Sequence, residues 1–234
     1  MMLNAQAGEH LFSDERFFET AHSLSQRTGA LSNELISADS EFSLAINECK
    51  NFVVKDPPRF DDIWHILYTS GTTGRPKGAQ LSHGQNLLQC QGLGSEYSLT
   101  NESVGLTYTP TFHASGLFMF SNPTLLQGGK TILMRQFDAK ACLAIMKDAD
   151  VKVTHTLAIP TNLLMIRNLD DFSEVNFDGL IIGSGGMPVP VALIEEFASH
   201  GARIPQVWGM TELCGVSTSL PAEDYLRKAG SCGP

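Results

Sequence analysis

The sequence predicts an α/β fold with a doubly wound, mostly parallel sheet. Three observations carry that expectation. From Ile63 onward, short apolar strand-like runs alternate with helical segments. Glycine and proline punctuate the runs, as at Pro110, Gly128-Gly129, Pro160 and Gly201. One segment has a helical repeat, with Ala139, Cys142, Leu143, Met146 and Ala149 on a single face.

In chain order, residues 1–60 carry the weakest pattern and are expected to be a lead-in to a domain spanning 61–234. Within that lead-in, Phe12 to Leu35 has scattered apolar positions suited to a helix, and Phe42 to Val54 mixes strand and helix character. Asp56-Pro57-Pro58 marks a loop before a strand at Ile63–Leu67. Gln85–Leu93 reads as a helix and Val104–Tyr108 as a strand ending at Pro110. Gly116–Gln127 is apolar and interrupted by Pro123, and Lys130–Met134 is a strand. Asp138 is placed to cap the helix that follows it. Val151–Leu157 alternates like a strand, and Pro160 suits the first turn of a helix through Ile166. Leu180–Ile182 is a continuous apolar strand, Pro190–His200 a helix stopped by Gly201, and another short strand ends at Val207. Ligands of such sheets bind beyond the carboxyl ends of strands. The loops after Leu67, Tyr108, Ile182 and Val207 are expected there.

Composition excludes several classes. Hydrophobic content of 42% and charged content of 18% suit a globular chain with a sizeable core. The formal charge is −9, with no basic stripe, so nucleic acid is not an expected partner. Residues 1–62 hold eleven acidic and five basic side chains, a net of −6, so most of the excess lies upstream. No run approaches ~18 uninterrupted apolar residues, so no membrane span is expected, which leaves peripheral association open. The opening MMLNAQAGEH lacks the basic and apolar regions of a signal peptide. Five cysteines, odd in number and without a CxxC pair, read as reduced thiols in a cytoplasmic protein. There is no HExxH, no cysteine pair with zinc-ligand spacing, and no GxSxG elbow.

The densest chemistry lies in Tyr68–His83, YTSGTTGRPKGAQLSH. Thr69, Ser70, Thr72 and Thr73 supply hydroxyls. Gly71, Gly74 and Gly78 allow close backbone approach, and Lys77 adds a positive charge after the stiff Pro76. Amides, hydroxyls and an ammonium together suit a polyphosphate. The Walker A loop is the nearest confusion. Counting from Gly71, its second glycine would fall at Pro76 and its Ser/Thr at Gly78, two mismatches at residues that touch phosphate and magnesium.

The stretch instead resembles the signature of the adenylate-forming enzymes: acyl- and aryl-CoA synthetases, peptide-synthetase adenylation domains and luciferases. Three further segments share the resemblance. Pro110-Thr111-Phe112-His113-Ala114-Ser115-Gly116 is similar to the P-x-F-H-x-x-G segment of fatty-acyl-CoA synthetases, which implies that His113 lies near the carboxylate being activated. Amino-acid-activating domains read F-D-x-S there. An imidazole gives an α-ammonium group no counter-charge, so an amino-acid substrate is disfavoured. The apolar Leu117-Phe118-Met119-Phe120 that follows would suit a lipophilic acyl group, or simply be core. Gly183-Ser184-Gly185-Gly186-Met187-Pro188 resembles a G-G-A-P segment whose backbone borders adenine and acyl group, with Met187 where alanine is common. Gln206-Val207-Trp208-Gly209-Met210-Thr211-Glu212 is similar to Y-G-x-T-E. That likeness implies that Trp208 stacks on adenine, Thr211 contacts the α-phosphate, and Glu212 places magnesium.

The resemblance covers roughly residues 60–234. It implies part of the large N-terminal domain of an adenylate-forming enzyme, with ATP, Mg2+ and coenzyme A as cofactors and co-substrate. The implied reaction activates a small-molecule carboxylic acid, a fatty acid above all, through an acyl-adenylate, followed by thioester formation with coenzyme A. The family's T-G-D motif, hinge and small C-terminal domain do not occur in these residues, so the expectation is of a fragment. Two alternatives stand beside the fatty-acid reading: a non-catalytic nucleotide-binding remnant, and a ligase for aryl or short-chain acids. Oligomeric state is not legible.

Overall fold

The computed structural model describes residues 10–13, 15–28, 34–37, 56–71 and 74–234. The chain divides into two compact units. One is Met1–Pro58 with Ser70–Gly78, and the other is Arg59–Thr69 with Ala79–Pro234.

In the first unit, β1 (His10–Ser13) pairs in parallel with β2 (Glu34–Ser37), and α1 (Phe18–Thr28) follows a 3-10 turn at Glu15–Phe17. The helix expected between Phe12 and Leu35 is thus α1, flanked by two strands that the scattered pattern did not reveal. The expectation for Phe42–Val54 falls outside the described residues.

The second unit is built on a six-stranded sheet of order β10-β9-β8-β7-β5-β6. Its strands are β5 (Val104–Thr107), β6 (Lys130–Leu133), β7 (His155–Ala158), β8 (Ile181–Gly185), β9 (Gln206–Met210) and β10 (Gly215–Ser219). All neighbours run parallel except β9 and β10, which are antiparallel. β3 (Ile63–Thr69) and β4 (Lys77–Ser82) form a separate two-stranded sheet. The strand expected at Ile63 is therefore present, but it belongs to this small sheet and not to the six-stranded one.

Successive strand residues feed different cores. Leu106, Ala158 and Ile182 join α5 (Ala139–Met146), α6 (Pro160–Arg167) and α7 (Val191–Ser199) in one cluster, through Cys142, Leu143, Leu163, Ile166, Ile194 and Phe197. Leu157, Ile181 and Val207 join Leu93 of α2 (His83–Glu96), Tyr97, Met119 and Phe120 in another. This alternation puts helices on both faces, the doubly wound arrangement, because side chains along a strand point to opposite sides. Each fully buried leucine, isoleucine or phenylalanine contributes roughly 2 kcal/mol by leaving water.

Local signals set the helix ends. Ser82 accepts from the Gln85 amide at 3.1 Å while the Gln85 side chain accepts from the Ser82 amide at 2.8 Å, a reciprocal cap that starts α2 two residues before the expected point. Asp138 accepts from the Ala141 amide at 2.8 Å as expected, but α5 ends at Met146, short of Ala149. The apolar stretch 116–127 is two helices, α3 (Ala114–Phe118) and α4 (Ser121–Leu126), with Pro123 in the first turn of the second, where its missing amide costs nothing. Gly201 follows α7 with φ +92°, the left-handed stop that glycine provides.

Candidate active site

A pocket of about 260 Å3 opens at the carboxyl ends of β5, β7, β8 and β9. His113, Gly185, Gly186, Gly209 and Thr211 all line it, so three of the four chemical segments meet in one place. The parallel sheet accounts for this. Each strand ends in a turn on the same edge, and β7–β8 and β8–β9 are in register there, with Ala158 opposite Ser184 and Gly185 opposite Val207.

Its walls explain the glycines. A Cβ on Gly185 would overlap the carbonyl oxygen of Val207, and one on Gly209 would overlap that of Gly215. Both are required by backbone-to-backbone packing within the sheet. Gly186 differs. It has φ +78°, and a Cβ there would meet only Ile159 Cγ2, at 3.9 Å, so the space beside it belongs to the pocket. The arrangement offers bare peptide surface on which a flat ring could lie.

The polar groups lie at the rim. His113 is the N-cap residue of α3, with Nδ1 accepting from the Ser115 amide at 3.1 Å. Thr211 and Glu212 form a 3-10 turn after β9, closed by Cys214 in the left-handed region at φ 59°. Cys214 itself is buried, which pushes its thiol up to about 11 and keeps it protonated and inert. Glu212 and Trp208 are exposed, as is Met187, and these three stand outside the pocket lining. Trp208 thus presents a face to solvent from within β9. The aromatic motif is strand backbone rather than the loop expected, because β10 pairs with it through Gly209–Val216 and Trp208–Thr218.

Of Leu117–Phe120, only Met119 lines the pocket. Phe118 and Phe120 are core residues of two different clusters, and Leu117 packs against the cluster of Phe118. Successive positions on helical backbone point in different directions, so an apolar run cannot line one cavity. The sequence reading missed Leu157, Ile159 and Val216, which supply much of the apolar wall. The first two follow from applying the strand-end rule to β7, whose end is marked by Pro160.

The phosphate-type loop, Ser70–Gly78, belongs to the first unit. Gly71 and Gly74 both take positive φ, +64° and +76°. The Gly74 amide donates to the Gly71 carbonyl at 3.2 Å, closing a tight turn. Ser70, Gly74 and Lys77 are exposed, and Thr69 ends β3 half-buried. Thr72 and Thr73 fall outside the described residues.

A profile of the AMP-binding enzyme family matches residues 6–234. The chain belongs to the AMP-binding enzyme family. The match reaches back into the N-terminal segment where the sequence pattern is weakest. Among curated AMP-binding relatives, a feruloyl-CoA synthase of an Amycolatopsis species is 35% identical over 178 residues, covering 76% of this chain and 36% of the relative. Among solved structures, a Mycobacterium tuberculosis fatty acyl CoA synthetase superposes with a TM-score of 0.86 at 25% identity, covering 99% of this chain and 45% of that one. An O-succinylbenzoate coenzyme A synthetase from Bacillus subtilis, in complex with ATP and magnesium ion, gives a TM-score of 0.77 at 26% identity, covering 96% and 44%. The α/β architecture is that of the N-terminal domain of adenylate-forming enzymes. The chain spans about a third of the length of the curated relatives it matches. Those relatives act on acids of different kinds.

The residues present suit the groups that the AMP-binding family implies. Bare peptide at Gly185–Gly186 and the exposed Trp208 ring suit a nucleotide base. The Glu212 carboxylate is a hard oxygen donor of the kind that holds magnesium beside substrate phosphates, and the Thr211 hydroxyl beside it can donate to a phosphate oxygen. Among the described residues, no helix is long and apolar enough to cross a membrane.

Proposed function

We propose that the protein takes part in ATP-dependent activation of a carboxylic acid and its transfer to coenzyme A. The observation that carries this is the convergence of His113, Gly185, Gly186, Gly209 and Thr211 on one largely apolar pocket at the carboxyl edge of the sheet. In the first step a carboxylate oxygen attacks the α-phosphorus of ATP, and the bond to the β-phosphate oxygen breaks. Acyl-adenylate forms and pyrophosphate leaves. In the second, the thiol of coenzyme A attacks the acyl carbonyl, the thioester forms, and AMP leaves with the bonding pair.

Each residue has a role in that scheme. Thr69, Ser70, Gly71, Thr72, Thr73, Gly74 and Lys77 bind the departing pyrophosphate. Trp208 stacks on the base, and the backbone at Gly185, Gly186 and Met187 borders it, with Gly209 beside Trp208. Thr211 donates to the α-phosphate, and His113 meets the acid. Glu212 would hold Mg2+, which supplies charge neutralisation for the phosphates. Fixed donors aimed at developing charge, and alignment of carboxylate with phosphorus, are the sources of rate. The reaction and the free cysteines go with a cytoplasmic location.

The apolar wall of Met119, Leu157, Ile159 and Val216 supports a lipophilic acid, a fatty acid in the first instance. A second reading, an aryl acid, is favoured by the 260 Å3 volume, below the ~300–1,000 Å3 usual for small-molecule sites, and by the feruloyl-CoA synthase relative. ATP–pyrophosphate exchange by the full-length protein over a panel of fatty, aryl and short-chain acids tests both. Exchange with one class and not the others chooses between them. Equal inactivity with all, alongside measurable ATP binding, supports the nucleotide-binding remnant instead. Lys77→Ala is expected to slow exchange on the order of a hundredfold; unchanged kinetics removes Lys77 from the site.

A further inference from the structure

We propose that Ser115 is a positioning residue that holds His113 as the Nε2–H tautomer, so that the ring offers an N–H donor to the acid's carboxylate; this rests on the reading of the pocket given above. His113 precedes α3 in extended geometry, φ −118° and ψ 148°, and its Nδ1 lies 3.1 Å from the Ser115 amide nitrogen. A backbone N–H can only donate, so Nδ1 must present its lone pair. A neutral imidazole carries one proton, which is therefore on Nε2.

Ser115 makes a second contact to the same atom. Its Oγ lies 2.8 Å from His113 Nδ1. With Nδ1 fixed as an acceptor, the hydroxyl is the donor, and the two Ser115 groups share one lone pair. Either bond would disfavour the Nδ1–H tautomer; together they turn one residue into a two-point clamp. Ser115 and His113 both line the pocket, so the clamp sits where the acid binds. Nδ1 is consumed by the cap. Nε2–H remains as the nitrogen that can address a ligand, and it is the tautomer suited to an anionic acceptor. A serine two positions after a histidine N-cap thus has a chemical role beyond helix initiation.

The test separates this from the reaction itself. In the full-length protein labelled with 15N-histidine, two-bond proton–nitrogen correlation spectra at pH 8 report the tautomer of each ring, with the His113 signals assigned by their loss in His113→Gln. Nδ1 at an acceptor shift and Nε2 protonated is the expected result. Ser115→Ala keeps the amide donor and removes only the hydroxyl, so it is expected to move both nitrogens part of the way toward averaged values, and Ser115→Thr to restore them. In exchange assays Ser115→Ala is expected to raise KM for the acid roughly fivefold to tenfold, the worth of one hydrogen bond, with KM for ATP little changed. A wild-type ring protonated at Nδ1, or an Ser115→Ala spectrum identical to wild type, overturns the proposal. Spectra as expected in a protein that activates no acid would leave the clamp standing and sink the assigned reaction. Thermal unfolding of Ser115→Ala within a few degrees of wild type shows that the spectra report the ring and not lost structure.

Discussion

The two ends of the six-stranded sheet place a histidine each, and the two are treated in opposite ways. At the amino end, His155 opens β7 and is 6% exposed. Its Nε2 donates to the Tyr97 carbonyl at 3.1 Å, 58 positions away in sequence, and its ring packs against Phe120. At the carboxyl end, His113 is exposed and its Nδ1 is satisfied by a residue only two positions on. A histidine buried and held by a long-range bond contributes to stability. An end whose polar groups are satisfied by their immediate neighbours keeps the remaining donor capacity for a ligand. The same division separates the glycines, since Gly185 and Gly209 are dictated by the packing of strands whereas Gly186 faces open space.

The sharpest way to break that division is Gly209→Ala. The new methyl would overlap the Gly215 carbonyl in the backbone of β10, so no rotamer change relieves it. Strands β9 and β10 would have to separate, carrying Trp208 and Thr211 with them. A loss of ~3 kcal/mol or more in urea unfolding is expected. A change under ~1 kcal/mol would mean that the edge pairing is soft and the pocket wall adaptable.

The amino end is tested by pH. Burial, first of all, lowers the His155 pKa from 6.5 to about 4, partly opposed by its bond to Tyr97 and assisted by the nearby Arg203. The unfolded chain takes up this proton below about pH 6.5, while the folded chain resists until about pH 4. The stabilising preference for the neutral ring is therefore complete above pH 6.5 and is lost as pH falls toward 4. The loss amounts to about 3 kcal/mol over that window for the shift from 6.5 to about 4. Urea midpoints of wild type and His155→Gln, measured from pH 7.5 to 4, are expected to converge as the pH drops. Parallel curves would show that His155 is solvated in the folded chain.

Legibility in the sequence followed the same physical line. Strands β5, β6 and β8 are apolar runs bounded by glycine or proline, and helices α5, α6 and α7 carry their caps and stops locally, so all were readable. β4 and β10 were not. Their sequences, KGAQLS and GVSTS, are polar or glycine-rich, and only pairing with a neighbouring strand makes them strands. For the same reason Trp208 and Gly209 read as a loop although the approach of Gly215 holds them in β9. Three of the four site segments were readable and converge as the parallel topology requires. The apolar wall was less so, because Met119 is set apart from Phe118 and Phe120 by helical direction alone.

The smallest expected effect sharpens the comparison furthest. Gly186→Ala asks a residue with a Cβ to hold φ +78°, which costs ~1–2 kcal/mol in the left-handed region. No steric overlap adds to this, since the nearest atom to the new methyl is Ile159 Cγ2 at 3.9 Å. Stability should therefore fall by much less than in Gly209→Ala. The methyl would, however, occupy space beside Ile159 that both residues give to the pocket. Binding of bulky acids should weaken by roughly tenfold or less, the cost of one methyl-sized mismatch, while the smallest acids bind as before. If Gly186→Ala instead unfolds as readily as Gly209→Ala with no change in acid preference, then Gly186 is a packing glycine like the others, and the open side of the carboxyl end lies elsewhere.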